Sequence, residues 1–265
     1  MADQRDPNAM LPAGHRSLTR VITALTSIGF ALVAAGCDLP RFGSRQPVTE
    51  QGDHTLSLWQ GFFVTACVVG LIVFGLILFV TVRFRRRSDE IPSQRGENLK
   101  IEALYVATPI VMVIVLFIAS MSVERKVTAQ SAAPDLIVNV TGYQWGWRFE
   151  YPDHHVTISG SGVDRPPHLV LPAGRTTRLV LRTTDVIHSF WVPNFLEKRD
   201  LIEGVDNSID VTPHTLGSFD GRCAEFCGLD HWRMTFVLDI VAAGDFEGAL
   251  ASAARTAASQ SGGGS

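Results

Sequence analysis

The sequence is poor in charge and in cysteine. Charged residues make up only 18% of the 265 residues, and the formal net charge of −3 gives no sign of a nucleic-acid partner. The four cysteines are too few for a disulfide scaffold, and they occur in three unrelated contexts. There is no internal repeat. There is also no C-x-x-C-H segment, which argues against a covalently attached c-type haem.

The low charge content reflects three apolar stretches near the N-terminus. The first, Val21–Gly36, follows two arginines, is short for a bilayer span and ends in Ala-Ala-Gly. A basic segment, a short apolar core and small residues predict a secretory signal peptide over residues 1–36. Cys37 resembles the lipidated cysteine of a bacterial lipoprotein, which would make 37–55 an exterior N-terminal segment. The alternatives are a plain signal peptide with a chance cysteine and an uncleaved helix.

The other two stretches are long enough to cross a membrane. Leu56–Val82 and Ala103–Val123 contain no charged residue, and about 20 helical residues span the hydrocarbon core. The loop 83–102 is rich in arginine, which places it in the cytoplasm. We therefore predict a transmembrane helical hairpin over residues 56–123 in a bacterial plasma membrane, with the rest of the chain on the exterior face. Cys67, inside the first span, is predicted to be a small packing residue.

The pattern changes after the hairpin. Residues 130–243 contain short runs of Val, Leu, Thr and aromatic residues, separated by Gly, Pro and Asp. This pattern predicts an all-β sandwich or barrel. Residues 244–265 form an Ala/Gly/Ser-rich tail that ends in a flexible Gly-Gly-Gly-Ser.

One short segment of this domain, GRCAEFCGLDHWRM, concentrates metal-binding side chains. The spacing of Cys223, Cys227, His231 and Met234 lets one loop and the start of the next strand direct several donors at one point. His188, which follows a turn-like Thr-Thr-Asp, is the strongest of the histidines that could join them. The remaining histidine candidates are His154, His155, His168 and His214.

Four interpretations of this cluster compete. A Cys223–Cys227 disulfide is plausible in an oxidising compartment, and a Cys2His2 zinc site could use His188, but both leave Met234 without a role. Simple core packing is a third alternative. Thiolate, imidazole and thioether are the donors of copper electron-transfer centres, and copper fits best.

The second cysteine indicates two copper ions. A mononuclear blue site needs one cysteine, whereas two cysteines can bridge two ions and spread the charge of one electron over both. The terminal ligands would then be His188, His231 and Met234, with a backbone carbonyl from Ala224, Glu225 or Phe226.

The hairpin, the exterior β domain and the C-x-E-x-C-x-x-x-H-x-x-M segment together resemble subunit II of the haem–copper cytochrome c oxidases, over about Leu56 to Ala242. The resemblance implies a cupredoxin-like domain and a binuclear copper centre, CuA. It also implies that the Glu225 carbonyl is a copper ligand and that its side chain reaches a magnesium or manganese ion at the interface with subunit I. On the sequence alone, this glutamate could equally be a solvated loop acid. The implied copper ligands are His188, Cys223, Glu225, Cys227, His231 and Met234.

The segment GYQWGWRFEY resembles an aromatic segment of the same family. Trp145 then corresponds to the exposed tryptophan through which a c-type cytochrome delivers its electron, with Trp147 beneath it. Gly146 departs from the family, which commonly has a third aromatic residue there. Without the resemblance, both tryptophans would be interpreted as packing residues on a strand.

Glu102 begins the segment EALYVATP, seven residues before Pro109. The resemblance implies that this glutamate lies at the mouth of a proton-uptake route into subunit I, although Tyr105 stands where the family often has tryptophan. From topology alone, Glu102 would be a solvated carboxylate at the cytoplasmic membrane surface.

These features predict the electron-accepting subunit of a proton-translocating oxidase that reduces oxygen to water. Its partners would be the haem-bearing subunit I, further oxidase subunits, the membrane and a c-type cytochrome. The excess of acidic residues in the exterior domain agrees with a basic cytochrome partner. The alternatives are an exported copper- or zinc-binding lipoprotein, a copper-free quinol-oxidase subunit II and a CuA domain of a nitrous oxide reductase. The complete ligand set argues against the second, and the two spans argue against the third.

Overall fold

A computed structural model of the chain describes residues 41–89, 91, 94, 96–162 and 165–261. The predicted signal peptide over 1–36 and the predicted lipidation site Cys37 lie outside the described residues. The chain divides into two compact units, Met1–Ser44 and Arg45–Ser265. In the first, the described residues 41–44 form a turn closed by a hydrogen bond from the Ser44 amide to the Arg41 carbonyl. All the elements below belong to the second unit.

Two long helices contain the second and third apolar stretches. Helix α1 runs over Glu50–Arg83 and helix α2 over Leu99–Val127, with 34 and 29 residues. At about 1.5 Å per residue, each is longer than the ~30 Å hydrocarbon core of a bilayer. Their apolar side chains are exposed on the chain itself, as expected of helices that meet lipid or other membrane proteins. The two helices also contact each other.

Polar caps extend both helices beyond their apolar stretches. Helix α1 begins outside the span because the Thr49 hydroxyl accepts a hydrogen bond from the Gly52 amide at 3.1 Å. Helix α2 begins inside the segment 83–102 predicted as a loop. Its cap is reciprocal: the Asn98 side chain accepts from the Ile101 amide, and the Glu102 carboxylate accepts from the Asn98 amide at 3.1 Å. Charged residues at its start are thus part of the helix.

The exterior domain is a sandwich of two five-stranded sheets, which confirms the predicted all-β class. One sheet has the order β3-β2-β1-β5-β8 and the other β4-β10-β9-β6-β7. The pairs β1–β5 and β4–β10 are parallel, and the other pairs are antiparallel. The strands are β1 Leu136–Tyr143, β2 Gly146–Tyr151, β3 Val156–Ser161, β4 His168–Pro172, β5 Thr177–Thr183, β6 His188–Val192, β7 Glu197–Leu201, β8 Asn207–Val211, β9 Gly217–Cys223 and β10 Thr235–Val241.

An aromatic cluster fills the space between the sheets beneath the loop that carries the two cysteines. Phe190 of β6 stacks on Phe236 of β10 with ring centroids 4.9 Å apart, and Trp147 of β2 meets Phe236 edge-on at 5.3 Å. These rings are fully buried, and each buried aromatic side chain contributes about 1.5–3 kcal/mol to folding. This aromatic cluster therefore packs against the strands that carry the loop.

A third helix, α3, covers one side of the sandwich. It runs over Phe246–Ser261 and buries Phe246 and Leu250 against β3 and β4. The alanine-rich tail predicted from composition is thus largely one amphipathic helix.

The sandwich is bonded to the chain on both sides of the hairpin. Before α1, Val48 is buried, donates to the Asn194 carbonyl at 3.1 Å and accepts from the His214 amide at 2.9 Å. After α2, the Ser131 amide donates to the Asp210 carboxylate at 2.7 Å. These contacts fix the sandwich to the exterior ends of both helices.

Candidate metal centre

The loop between β9 and β10 brings Met234 next to Cys223. Cys223 ends β9, and its amide donates to the Met234 carbonyl at 2.9 Å. The next amide, of Ala224, donates to the Ser189 carbonyl at 3.0 Å, which ties the loop to β6. Because His188 is the first residue of β6, this bond sets its side chain beside the loop.

Four of the predicted side-chain donors form a continuous chain of contacts, in the order His188, Cys223, Cys227 and His231. The two cysteine sulfur atoms lie 3.9 Å apart. The His188 Nδ1 atom is 3.8 Å from Cys223 Sγ, and the His231 Nδ1 atom is 3.5 Å from Cys227 Sγ. The structure thus places one imidazole beside each sulfur.

The backbone carbonyl of Glu225 and the thioether of Met234 complete the cluster. The carbonyl oxygen of Glu225 is 3.2 Å from Cys223 Sγ, and Met234 Sδ is 3.8 Å from Cys227 Sγ. Of the three carbonyls that the sequence left open, that of Glu225 thus lies in contact with a cysteine sulfur. The Glu225 side chain itself is exposed and points to no partner in the described part of the chain.

The cluster is largely sealed from water. His188 and Met234 are completely buried, and Cys223 and Cys227 are 5% and 3% exposed. Both cysteines are free thiols, since their sulfurs are too far apart for a disulfide bond. The disulfide interpretation of this segment is therefore wrong for this structure.

The electrostatics of the two thiols differ. Burial opposes ionisation of Cys223, but hydrogen bonds with His188 and with the backbone at Ser189 and Glu225 outweigh it and lower the pKa to about 7. Burial and the neighbouring Cys223 raise the pKa of Cys227. Two adjacent thiolates repel each other in a buried site, and a bound cation would offset that repulsion.

Asp185 holds the imidazole of His188. Its Oδ1 atom lies 2.8 Å from His188 Nε2, on the side of the ring away from the sulfurs. Burial lowers the pKa of His188, yet hydrogen bonds to Cys223 and Asp185 raise it overall. With Nε2–H donated to Asp185, the lone pair of Nδ1 faces the cysteines. A carboxylate behind a ligating histidine is the usual arrangement in metal sites.

Trp145 contacts the cluster through the backbone of Cys227. It lies in the turn between β1 and β2, is half-buried, and its Nε1–H donates to the Cys227 carbonyl at 3.1 Å. The Gln144 side chain donates to the same carbonyl at 2.8 Å. Trp147 lies deeper, fully buried, with its ring centroid 6.5 Å from that of His188.

Gly146 has no space for a side chain. A Cβ atom there would overlap the Gly160 carbonyl oxygen and lie 2.8 Å from Cζ of Tyr143. The Tyr143 hydroxyl itself donates to that carbonyl at 3.1 Å. The tyrosine ring therefore occupies the space beside Trp145 where a further aromatic side chain would have to go.

The other histidine candidates lie outside the cluster. His154 pairs with Glu247, His168 with Asp239 and His214 with Asp53. Glu102 lies on α2 and not in the sandwich. Its carboxylate accepts a hydrogen bond from the Asn98 amide.

Two residues that the sequence did not single out belong to this site. Asp185 and Gln144 have no metal-ligand spacing of their own. The available signals were their positions, one three residues before His188 in a turn and the other directly before Trp145.

Two family models match the chain. The transmembrane domain of cytochrome c oxidase subunit II matches residues 47–124, and the periplasmic domain of the same subunit matches residues 162–241. The second range contains all six predicted copper ligands, whereas Trp145 lies between the two ranges.

Several known proteins are similar over most of their length. The probable cytochrome c oxidase subunit 2 of Streptomyces avermitilis is 39% identical, over 89% of this chain and 87% of the relative. The protein of the same description from Streptomyces coelicolor is 38% identical, over 91% and 89%. A crystal structure of the periplasmic domain of subunit II of cytochrome oxidase from Bradyrhizobium japonicum shares 28% identity, covers 48% of this chain and 99% of that chain, and has a TM-score of 0.45.

Proposed function

This chain belongs to the cytochrome c oxidase subunit II family, and on that premise we propose that its cysteine loop holds a binuclear copper centre that accepts electrons from a c-type cytochrome. Membership makes the chain a membrane-anchored subunit of a terminal oxidase, with two transmembrane helices and its C-terminal domain outside. The cofactor, the route of the electron and the individual residue roles are the proposal.

The observation that carries the proposal is the paired arrangement of donors around two unlinked cysteines. A metal ion with metal–sulfur distances of about 2.3 Å and tetrahedral angles separates two sulfur ligands by roughly 3.8 Å. The observed separation of 3.9 Å between Cys223 and Cys227 suits sulfurs that share a metal ion. This separation supports the proposal of a first-row metal shared by the two cysteines.

The positions of the two imidazoles favour two ions over one zinc ion. The donor atoms of His188, Cys223 and Cys227 all lie within 4.8 Å of one another, and His231 is not part of that group. A tetrahedral Cys2His2 zinc site needs all four donors around one point. Here His231 approaches from the Cys227 side, while His188 approaches from the Cys223 side. The thioether of Met234, which zinc sites do not use, also favours copper.

The residues of the chain have distinct tasks in this proposal. The copper ions would be held by the thiolates of Cys223 and Cys227, the imidazoles of His188 and His231, the Met234 thioether and the Glu225 carbonyl. Copper held in this way supplies a one-electron carrier with little change in geometry. The aromatic cluster and the buried ligands exclude water. The groups around the centre therefore need little reorganisation when an electron arrives or leaves. The Trp145 indole touches the Cys227 backbone and is partly exposed, so it can receive an electron at the surface.

Two further roles belong to the same proposal. The exposed carboxylate of Glu225 would bind a magnesium or manganese ion at the interface with subunit I, for which oxygen donors are suited. Glu102, at the cytoplasmic start of α2, would lie at a proton-uptake route into subunit I. Its bond to the Asn98 amide is compatible with this, because only one carboxylate oxygen is engaged.

The decisive experiment replaces Cys223 with serine in the whole oxidase complex. We expect loss of the near-infrared absorption and of the paramagnetic resonance signal of a copper pair, and loss of electron uptake from cytochrome c. Cys67→Ser, an exposed thiol on α1, is the matched control and should retain both. Undiminished cytochrome oxidation by the Cys223→Ser complex, or zinc in place of copper in the unaltered complex, would refute the proposal.

A further inference from the structure

The turn that carries Trp145 is joined to the metal cluster by hydrogen bonds of a single carboxylate. Asp185 lies between β5 and β6, and its Oδ2 atom accepts from the Gln144 amide at 2.7 Å. Its Oδ1 atom, as described above, accepts from His188 Nε2 at 2.8 Å. The two oxygens of one side chain thus contact the backbone beside the surface tryptophan and the imidazole of a copper ligand.

The carboxylate is itself held in place. The Val186 amide donates to Oδ1 at 2.7 Å, and the Asp185 amide donates to the Thr183 hydroxyl at 3.3 Å. A side chain fixed by its own turn can transmit its position to the groups it binds. Asp185 is therefore a rigid part of the β5–β6 turn.

The same turn reaches the other half of the cluster through Gln144. The Gln144 side chain and the Trp145 indole both donate to the Cys227 carbonyl, at 2.8 and 3.1 Å. Residues 144 and 145 are thus bonded on one side to the partner of His188 and on the other side to Cys227. Hydrogen bonds thus connect the partly exposed indole directly to Cys227 and, through Gln144 and Asp185, to His188.

We propose that Asp185 is a positioning residue: it fixes the orientation of the His188 imidazole and the position of the Trp145 turn. In this way it holds the electron-accepting indole in place relative to the metal centre. The inference rests on the proposed copper function. Asp185 would then act in electron transfer by positioning its hydrogen-bond partners. This role differs from that of a surface charge that attracts a basic electron donor.

The two roles predict different kinetics. A surface charge acts on encounter, so its removal raises KM and weakens the salt dependence while kcat at saturating donor is unchanged. A positioning residue acts after encounter, so its removal lowers kcat and leaves the salt dependence as it was. Removal of a carboxylate behind a ligating histidine also weakens metal retention, typically by about 10–100-fold.

The test compares three variants of the full oxidase complex. Asp185→Ala removes both hydrogen bonds. Asp185→Asn keeps one acceptor oxygen, so it can serve the Gln144 amide or His188 but not both. Asp206→Asn is the matched control, because it removes the same charge from an exposed side chain that pairs only with Arg182 among the described residues.

We expect Asp185→Ala to lose copper to a chelator about 10–100-fold more readily than the parent and to show at least a roughly tenfold lower kcat with cytochrome c. Asp185→Asn should retain the copper signal with an altered pattern and an intermediate kcat. Asp206→Asn should match the parent in kcat and in copper retention.

The inference is overturned if Asp185→Ala and Asp185→Asn keep the parent's copper signal, chelator resistance and kcat and change only KM, as a docking charge would. This outcome leaves the copper function intact. Absence of a copper pair from the unaltered complex would instead remove the proposed function, so the two failures are distinguishable. If Asp185→Ala does not assemble, the kcat and copper signal of Asp185→Asn decide.

Discussion

Gly146 allows the structure to be tested by one methyl group. An alanine Cβ at this position would overlap the Gly160 carbonyl oxygen of β3 and press on the Tyr143 ring. The tyrosine could turn away, but the carbonyl belongs to the backbone of the neighbouring strand. The register Gly146↔Ser161 would have to shift to relieve the contact. Insertion of a methyl group where the backbone cannot yield costs about 1–3 kcal/mol.

This free-energy cost corresponds to a measurable fall in Tm. A β domain of roughly 110 residues unfolds with an entropy of about 2.1 cal/mol/K per residue, so each kcal/mol lowers Tm by about 4 °C. We therefore expect Gly146→Ala to lower the apparent Tm by roughly 4–13 °C. Loss of the copper absorption on heating is a suitable assay, because it reports this domain within the complex. The adjacent Trp145 should also move, with slower electron uptake at saturating cytochrome c.

A matched control makes the result interpretable. Gly248→Ala adds the same methyl group inside helix α3, where nothing lies within 4 Å of the new Cβ. Alanine is favoured over glycine in a helix by roughly 0.5–1 kcal/mol, so this variant should be as stable as the parent or more so. If Gly146→Ala has the parent's apparent Tm and accepts electrons at the parent's rate, the packing of the Trp145 turn is incorrect.

Three further predictions concern single side chains. Trp145→Phe keeps a ring but loses the hydrogen bond to Cys227, so electron uptake from cytochrome c should slow while the copper spectrum persists; loss of the spectrum would show a structural role instead. Glu102→Gln should slow proton-coupled turnover and spare cytochrome c oxidation by the copper centre, and unchanged turnover would remove Glu102 from the proton route. The hydrogen bond with Asp239 raises the pKa of His168, so this pair should stabilise the domain by at most about 1 kcal/mol below pH ~6.5, with the gain lost as pH rises through the raised pKa. The apparent Tm of the parent should therefore fall more than that of His168→Gln between pH 6 and 9, and parallel curves would contradict the assignment.

The parts of this protein that could be predicted from sequence are those with a local signal. Uninterrupted apolar runs indicate the two spans, and the alternation in strands such as β1 and β10 indicates the sandwich. The cysteine loop could be anticipated because four donors fall within twelve residues, on one turn between adjacent strands. His188 is indicated by the turn-like Thr-Thr-Asp that precedes it, a weaker signal that the family resemblance reinforces.

The parts that could not be predicted depend on contacts between distant residues. The bond between Asp185 and Gln144 joins positions 41 residues apart, and neither side chain has a distinctive local pattern. The start of α2 at Leu99 depends on a polar cap, which hydropathy does not register. The lack of space at Gly146 arises from Tyr143 and Gly160, which only the fold brings together.

The buried Val48 has a practical consequence for work on the isolated β domain. Because this residue comes from the N-terminal side of α1, the hydrophobic interior of the sandwich is assembled from sequence on both sides of the membrane hairpin. A truncated fragment that begins near Gln130 would leave the Asn194 carbonyl and the His214 amide without their partners. A water-soluble version should therefore carry residues 45–49 as well, joined to Gln130 by a short linker in place of the two helices.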